Sequence, residues 1–256
     1  MPEHSIDAAR TVDDPVDRPA RRSRRVRRTD WRLGGRTVLH WRESLLAIAL
    51  VGVGAGILGA AGARAAGLGE TIATLALWVG MGVPVVVALS RSRPIGLLRF
   101  RPVDLVFGLG LGLAVRLGQG WAGGTDAVFP RLATVDGAPA SGWWFSDLLA
   151  PVLVAPLVET FFFAGVVLVA LYTVLRRHVG ALVAGAVSAL VTTALFVFLH
   201  AAIGATTVAD VVALSSLGLV MTLLVLLTGR IWGAVLAHVV FNASGAALLL
   251  IGTFLG

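Results

Sequence analysis

Long apolar runs constrain this chain more than any other feature. Seven stretches of about 20 residues could each cross the ~30 Å hydrocarbon core of a bilayer at about 1.5 Å per residue. A soluble domain is excluded because only 14% of the residues are charged, too few to cover its surface. The sequence therefore predicts an all-α fold, a polytopic bundle of about seven transmembrane helices. The predicted spans are 44–63, 70–89, 103–120, 145–175, 179–202, 208–227 and 231–255.

Arginine is concentrated before the first span, where residues 1–42 hold 11 arginines and 6 acidic residues. Residues 1–43 are predicted to be a basic, disordered cytoplasmic tail that touches anionic lipid headgroups. A nucleic-acid partner is not expected, because a basic segment beside a membrane span already has this explanation. Residues 44–256 form the predicted transmembrane domain.

The connectors between spans indicate the orientation. Arginines recur after spans two, four and six, whereas the opposite connectors carry only Arg64 and Arg131. This asymmetry predicts a multi-pass protein of the cell (plasma) membrane with its N-terminus in the cytoplasm. All 21 basic residues are arginine, a bias typical of a bacterial genome rich in GC. The absence of cysteine excludes disulfides, thiolate metal ligands and cysteine nucleophiles.

A few strongly polar side chains fall where lipid is expected. An ionisable residue inside a span costs ~2.5–3.5 kcal/mol on insertion scales, so it needs a partner or a function. The strongly polar side chains embedded in spans four, five and seven are Glu159, His200, His238 and Asn242.

Each of these residues has a functional and a structural interpretation. His238 and Asn242 are four apart, so they share a helix face and can donate to one oxygen, or the imidazole can bind a metal. Alternatively, they make hydrogen bonds between helices. Glu159 has apolar neighbours and can act as a base, or it is a protonated carboxyl bonded to another helix. His200 lies near the end of its span, where a histidine can simply face the interface.

Together, one carboxylate and two imidazoles can activate water by general base catalysis, or Glu159, His200 and His238 can bind a zinc ion that does so. Either arrangement leads to hydrolysis inside a membrane. At about 1.5 Å per residue, however, His200 lies about 30 Å from the inner end of its span, near the outer surface. Convergence with the other residues therefore requires a tilted, broken or shifted fifth helix.

The order and spacing of these residues resemble the CPBP family of intramembrane proteases, which includes the CAAX prenyl proteases and the bacteriocin-processing (Abi) proteins. The family's first motif, Glu-Glu-x-x-x-Arg, resembles the string from Pro156 to Gly165. Its Phe-x-x-x-His motif matches Phe196 and His200, and its His-x-x-x-Asn motif matches His238 and Asn242. The resemblance covers residues 145–255, the predicted protease core.

The resemblance implies that Glu159 and His200 activate water, while His238 and Asn242 stabilise the oxyanion or His238 helps to hold a metal. Thr160 and Ala164 replace the second Glu and the Arg of the first motif. Losing both together avoids leaving one charge unpaired. Arg116 in span three either supplies a substitute cation or extends to the outer interface.

The predicted function is an intramembrane endopeptidase that cleaves a membrane-associated peptide or protein by water activated by glutamate and histidine. The alternative is a catalytically inactive relative that binds peptides or partners, for example in bacteriocin immunity. A small-solute transporter is the third class, but its paired broken helices or inverted repeats are not evident.

Overall fold

The computed structural model describes residues 30–33, 38, 40–124, 128–136, 138–204 and 207–255. Its helices are α1 (Glu43–Ala65), α2 (Glu70–Arg91), α3 (Ile95–Leu98), α4 (Val103–Gly123), α5 (Ala155–Thr160), α6 (Leu168–Ile203), α7 (Val208–Thr228) and α8 (Trp232–Phe254). Two π-helical stretches, Trp144–Val154 and Phe161–Val167, flank α5 and join it to α6 without a break. A two-residue β-pair, β1 (Thr134–Val135) with β2 (Ala138–Pro139), lies in the connector after α4.

The all-α polytopic bundle predicted from the sequence is confirmed. Within the described residues, six helices are long and apolar enough to cross a membrane. The longest has 60 residues, from Trp144 to Ile203. This helix is interrupted at Gly180, whose φ of 77° and ψ of 171° are not helical. Its two arms, 144–179 and 181–203, correspond to predicted spans four and five.

The two arms fold back on each other as a long hairpin. The Phe163 and Phe196 rings lie 5.4 Å apart, although they are separated by 33 positions in the chain. The sequence placed the connector at Arg176 and Arg177, but the helix continues past both. It is interrupted only at glycine, which adopts the positive φ without a steric penalty.

Small residues let α1 and α2 pack closely. A Cβ atom on Gly52 would lie 2.6 Å from the carbonyl oxygen of Gly80, and one on Gly56 would lie 3.2 Å from the Cα of Gly80. The two backbones therefore touch along this line. This is the packing that frequent glycine in a membrane helix favours.

Part of the predicted tail packs against the helices. Trp31 is 1% exposed, donates its indole N–H to the carbonyl of Gly229 at 3.1 Å, and meets the Tyr172 ring edge-on at 5.4 Å. Arg32 donates to the carbonyls of Leu226 and Leu227 at 2.9 and 2.6 Å, which caps the end of α7. The packed region thus begins ahead of residue 44. The predictions for residues 1–29 lie outside the described residues.

These contacts belong to one end of the bundle, which we call the arginine-rich end. It holds Asp30–Leu33, the α2–α4 connector, the Gly180 turn and the α7–α8 connector. A buried ion pair between Asp104 and Arg230 joins the start of α4 to the residues just before α8. The indole of Trp232 also donates to the carbonyl of Leu98 at 2.8 Å. The beginning of α8 is therefore fixed on two sides.

Candidate active site

Glu159 lies in a short α-helical segment between two wider helical turns. Alpha5 contains only six residues, with π-helical backbone before and after it. Such π-bulges re-aim side chains relative to a regular helix and are frequent at functional sites. The polypeptide around Glu159 is therefore locally irregular within an otherwise continuous helical arm.

Three of the four candidate residues lie together, because the two histidines converge on one carboxylate oxygen of Glu159. Oε2 of Glu159 lies 3.6 Å from Nε2 of His200 and 3.8 Å from Nε2 of His238. The three side chains come from the first arm, the second arm and α8. Because Glu159 and His200 are almost equally far along the chain from Gly180, folding of the hairpin brings them together. The second arm is itself unbroken, and the sites converge because the first arm extends to residue 179, which places Glu159 about as far from the turn as His200.

The site is open on one side. The side chains of His200 and Glu159 are 24% and 12% exposed, whereas that of His238 is 3% exposed. Contacts of 3.6–3.8 Å are too long for direct hydrogen bonds, so Oε2 of Glu159 remains able to accept a hydrogen bond from another group. His200 therefore lies on the more accessible side of the site.

The orientation of His200 follows from its backbone partner. Its Nδ1 lies 2.9 Å from the carbonyl oxygen of Phe196, one helical turn earlier. A carbonyl only accepts hydrogen bonds, so this contact assigns a proton to Nδ1. In the neutral ring, Nε2 then carries the lone pair and faces Glu159.

His238 is held by different neighbours. Its Nδ1 lies 3.2 Å from the hydroxyl oxygen of Thr160, and the Phe196 ring meets the imidazole edge-on at 5.7 Å. Thr160 and Ala164, the two departures from the family motif, are both 0% exposed. Neither replacement leaves an unpaired charge in the core.

Asn242 makes a separate contact. Its side-chain amide donates to the carbonyl of Pro151 at 2.6 Å. This carbonyl lacks its regular partner, since the π-type bond joins the N–H of Ala155 to Ala150, and Pro156 has no N–H to continue the pattern. Asn242 therefore satisfies a helix carbonyl, although it lies one turn from His238 on the same helix face.

Arg116 contacts α8 and not Glu159. It donates to the carbonyl of Phe241 at 2.7 Å and to the hydroxyl of Ser244 at 3.2 Å, and its guanidinium lies 3.9 Å from the centre of the Phe241 ring. It also donates to Gln119. Arg116 thus stabilises the stretch of α8 that carries Asn242.

Zinc would need Glu159, His200 and His238 as its ligands. Among the described residues, no three His, Asp or Glu side chains form a group that could hold a metal ion. Zinc at Glu159, His200 and His238 stays a prediction.

Fold and site together define a multi-pass membrane protein with a glutamate and two histidines gathered inside its helix bundle. Residues 141–244 match the family model described as type II CAAX prenyl endopeptidase Rce1-like. This match confirms the family resemblance and contains Glu159, His200, His238 and Asn242. No curated protein and no solved structure matches the chain.

Two contacts at this site were not expected from the sequence. The motifs identified Glu159, His200 and His238, but they gave no partner for Thr160 and none for Pro151. The proline at position 156 was the available signal for the second contact, because it predicts an unpaired carbonyl about one turn earlier.

Proposed function

We propose that this protein is an intramembrane endopeptidase that hydrolyses a peptide bond in a membrane-associated peptide or protein. The observation that carries the proposal is that the Nε2 atoms of His200 and His238 both lie within 3.8 Å of Oε2 of Glu159. Holding a carboxylate and two imidazoles together inside a bilayer is costly, which favours a chemical role. The match to a family of prenyl endopeptidases supports the same class of reaction.

Glu159 and His200 are suited to bind and deprotonate water. A water molecule bonded to Oε2 of Glu159 lies within reach of the Nε2 lone pair of His200. The water oxygen attacks the peptide carbonyl carbon, and its proton passes to one of these two groups. The C=O electron pair becomes the oxyanion of a tetrahedral intermediate.

His238 and Asn242 are suited to the opposite side of the reaction. Each can donate a hydrogen bond to the oxyanion, and donors fixed in a dry site stabilise developing charge strongly. One amide hydrogen of Asn242 is bonded to Pro151, which leaves the other for the substrate. When the intermediate collapses, the C–N bond breaks and the stored proton passes to the leaving amine.

This mechanism uses protein groups alone. The alternative is zinc held by Glu159, His200 and His238, which would activate the water as a Lewis acid. A chelator distinguishes the two, since it abolishes cleavage only if the metal is required.

The substrate is expected to enter from the side of His200. The His200 side chain is 24% exposed and lies in a membrane-spanning arm, so a substrate already in the membrane is suited to approach it there. A peptide, a bacteriocin precursor or a membrane protein cut near its C-terminus fits this route. A prenylated C-terminal peptide belongs in the same panel because of the family matched.

A non-catalytic, peptide-binding protein, for example in bacteriocin immunity, is the second candidate. The contact between Asn242 and Pro151 favours it, since part of the proposed oxyanion site serves the helix backbone. Binding of a peptide without cleavage by the wild type, unchanged by Glu159→Gln, would support this candidate.

We further propose that the arginine-rich end faces the cytoplasm of the plasma membrane, where the preceding basic tail meets anionic headgroups. The hydrogen bond from Arg176 to the carbonyl of Arg32 joins the hairpin to the end of the tail, which supports their lying on one side. The chain has no cysteine, so single cysteines at His178 and Trp121 can be labelled cleanly from either side. Labelling of position 121 from the cytoplasm would contradict this orientation.

The function is tested by cleavage of a peptide library in reconstituted vesicles. Wild type, His200→Ala and His178→Ala form a matched set, because His178 is an exposed histidine on the same hairpin. We expect cleavage by wild type and His178→Ala, and its loss in His200→Ala. Equal cleavage by all three variants would remove His200 from the reaction.

A further inference from the structure

Thr160 is buried completely and has a single hydroxyl proton to donate. Its Oγ1 lies 3.2 Å from Nδ1 of His238 and 3.6 Å from the sulfur of Met221. This residue occupies the position of the second glutamate in the family motif. Its contacts therefore show what this chain has placed there instead of a carboxylate.

The two candidate acceptors of the Thr160 proton are unequal. An imidazole nitrogen with a lone pair is a good acceptor, whereas the thioether of Met221 is a weak one. The shorter contact is also the one to His238. A hydrogen bond from Thr160 to Nδ1 is therefore preferred, and it requires that Nδ1 carry no proton.

The surroundings of the other ring nitrogen, Nε2, favour the same assignment. Nε2 of His238 points toward Oε2 of Glu159 at 3.8 Å. A carboxylate attracts a protonated nitrogen, and the Thr160 hydroxyl, unlike the carbonyl beside Nδ1 of His200, can donate to a bare Nδ1. With the proton on Nε2, both ring nitrogens of this buried side chain face suitable partners.

We propose that Thr160 is a positioning residue that holds His238 with its proton on Nε2. Resting on the proposed function, this assignment makes His238 a hydrogen-bond donor to the oxyanion and leaves no lone pair on Nε2 for a metal. His200 has the reverse arrangement, because its Nδ1–H donates a hydrogen bond to the backbone carbonyl of Phe196. The two imidazoles thus differ in the nitrogen beside Oε2: that of His238 carries a proton, whereas that of His200 is bare and can accept a proton from a water molecule held by Glu159.

The test is nitrogen NMR of protein labelled with ¹⁵N-histidine, since protonated and bare ring nitrogens resonate far apart. The chain has five histidines, and His238→Gln assigns the signal. We expect the wild type to show a protonated Nε2 and a bare Nδ1 at His238. A proton on Nδ1, or on both nitrogens, would overturn the proposal.

Three variants show whether Thr160 is responsible. Thr160→Ser keeps the hydroxyl and should keep the wild-type pattern, and Met221→Leu should also keep it because the sulfur is not the acceptor. Thr160→Val removes the donor at similar size and should move proton population to Nδ1. An unchanged spectrum in Thr160→Val, or a moved proton in Met221→Leu, would contradict the assignment.

Activity provides an independent readout in the same variants. Thr160→Val should lower kcat more than it raises KM, and Thr160→Ser should restore kcat to within a few-fold of wild type. If Thr160→Val does not fold, the spectra of wild type and Met221→Leu still decide the assignment. The expected spectra without any cleavage would reject the protease and keep the hydrogen bond, whereas cleavage with a protonated Nδ1 would do the reverse.

Discussion

The ion pair between Asp104 and Arg230 should contribute strongly to stability. Nε and Nη2 of Arg230 lie 2.6–3.1 Å from the Asp104 carboxylate, and the two side chains are 10% and 1% exposed. Removing one partner from a buried pair leaves the other charge unpaired and costs about 3–5 kcal/mol. Asp104→Asn should therefore lower the folded-to-unfolded ratio by about 10²–10⁴-fold, at about 1.4 kcal/mol per factor of ten.

The assay is denaturant unfolding in mixed micelles of wild type, Asp104→Asn, Arg230→Gln and the double variant. The double variant should be more stable than the sum of the single losses implies, because neither charge is left alone. Glu70→Gln is the matched control, since Glu70 forms an exposed ion pair with Arg64. A loss in Asp104→Asn no larger than in this control would refute the reasoning.

Three further predictions concern the rest of the bundle. Trp31→Ala should cost about 3–5 kcal/mol in the same unfolding assay because its large side chain is buried, whereas Trp121→Ala, at a site 89% exposed, should change little. Gly52→Ala should cost about 1–3 kcal/mol because its Cβ would meet the Gly80 carbonyl at 2.6 Å, while Gly54→Ala, with nothing within 4 Å, should be tolerated. Burial opposes the charge on Asp30, but hydrogen bonds from Arg32 hold its pKa below the ordinary value. Its stabilising contribution should therefore be present at neutral pH and lost as the pH falls through that lowered pKa, so the stability gap between wild type and Asp30→Asn should close in acid.

The spans and the site residues could be predicted because both depend on local sequence. An uncharged run of about 20 residues needs no tertiary information to indicate a membrane helix. Polar residues in such a run are equally visible, which is why Glu159, His200 and His238 were identified. Their convergence needed the position of the hairpin turn, and Gly180 was not distinguishable from the many other glycines.

Contacts between distant segments were beyond the sequence. Nothing in the local pattern around Trp31 indicates that it packs against Tyr172 and the end of α7, because that surface forms only when the hairpin and α7 are assembled. Arg116 was similarly ambiguous. Its partners on α8 are more than 120 positions away and share no spacing rule with it.

The role of Thr160 depends on a contact that the motif does not contain. As a departure from Glu-Glu-x-x-x-Arg, this threonine suggested only a lost charge. In the fold it contacts His238 at 3.2 Å, so the residue that weakened the resemblance has a specific place in the site.

The central claim is that Glu159 activates water for peptide hydrolysis. It is tested most directly by the cleavage rate of Glu159→Gln against Glu43→Gln, an exposed glutamate at the start of α1, on a peptide that wild type cleaves in vesicles. With both variants folded, we predict that Glu159→Gln is slower by about 10²–10⁴-fold, the usual contribution of a general base, while Glu43→Gln keeps the wild-type rate. Equal rates for the two variants would show that the carboxylate between His200 and His238 has no part in the chemistry.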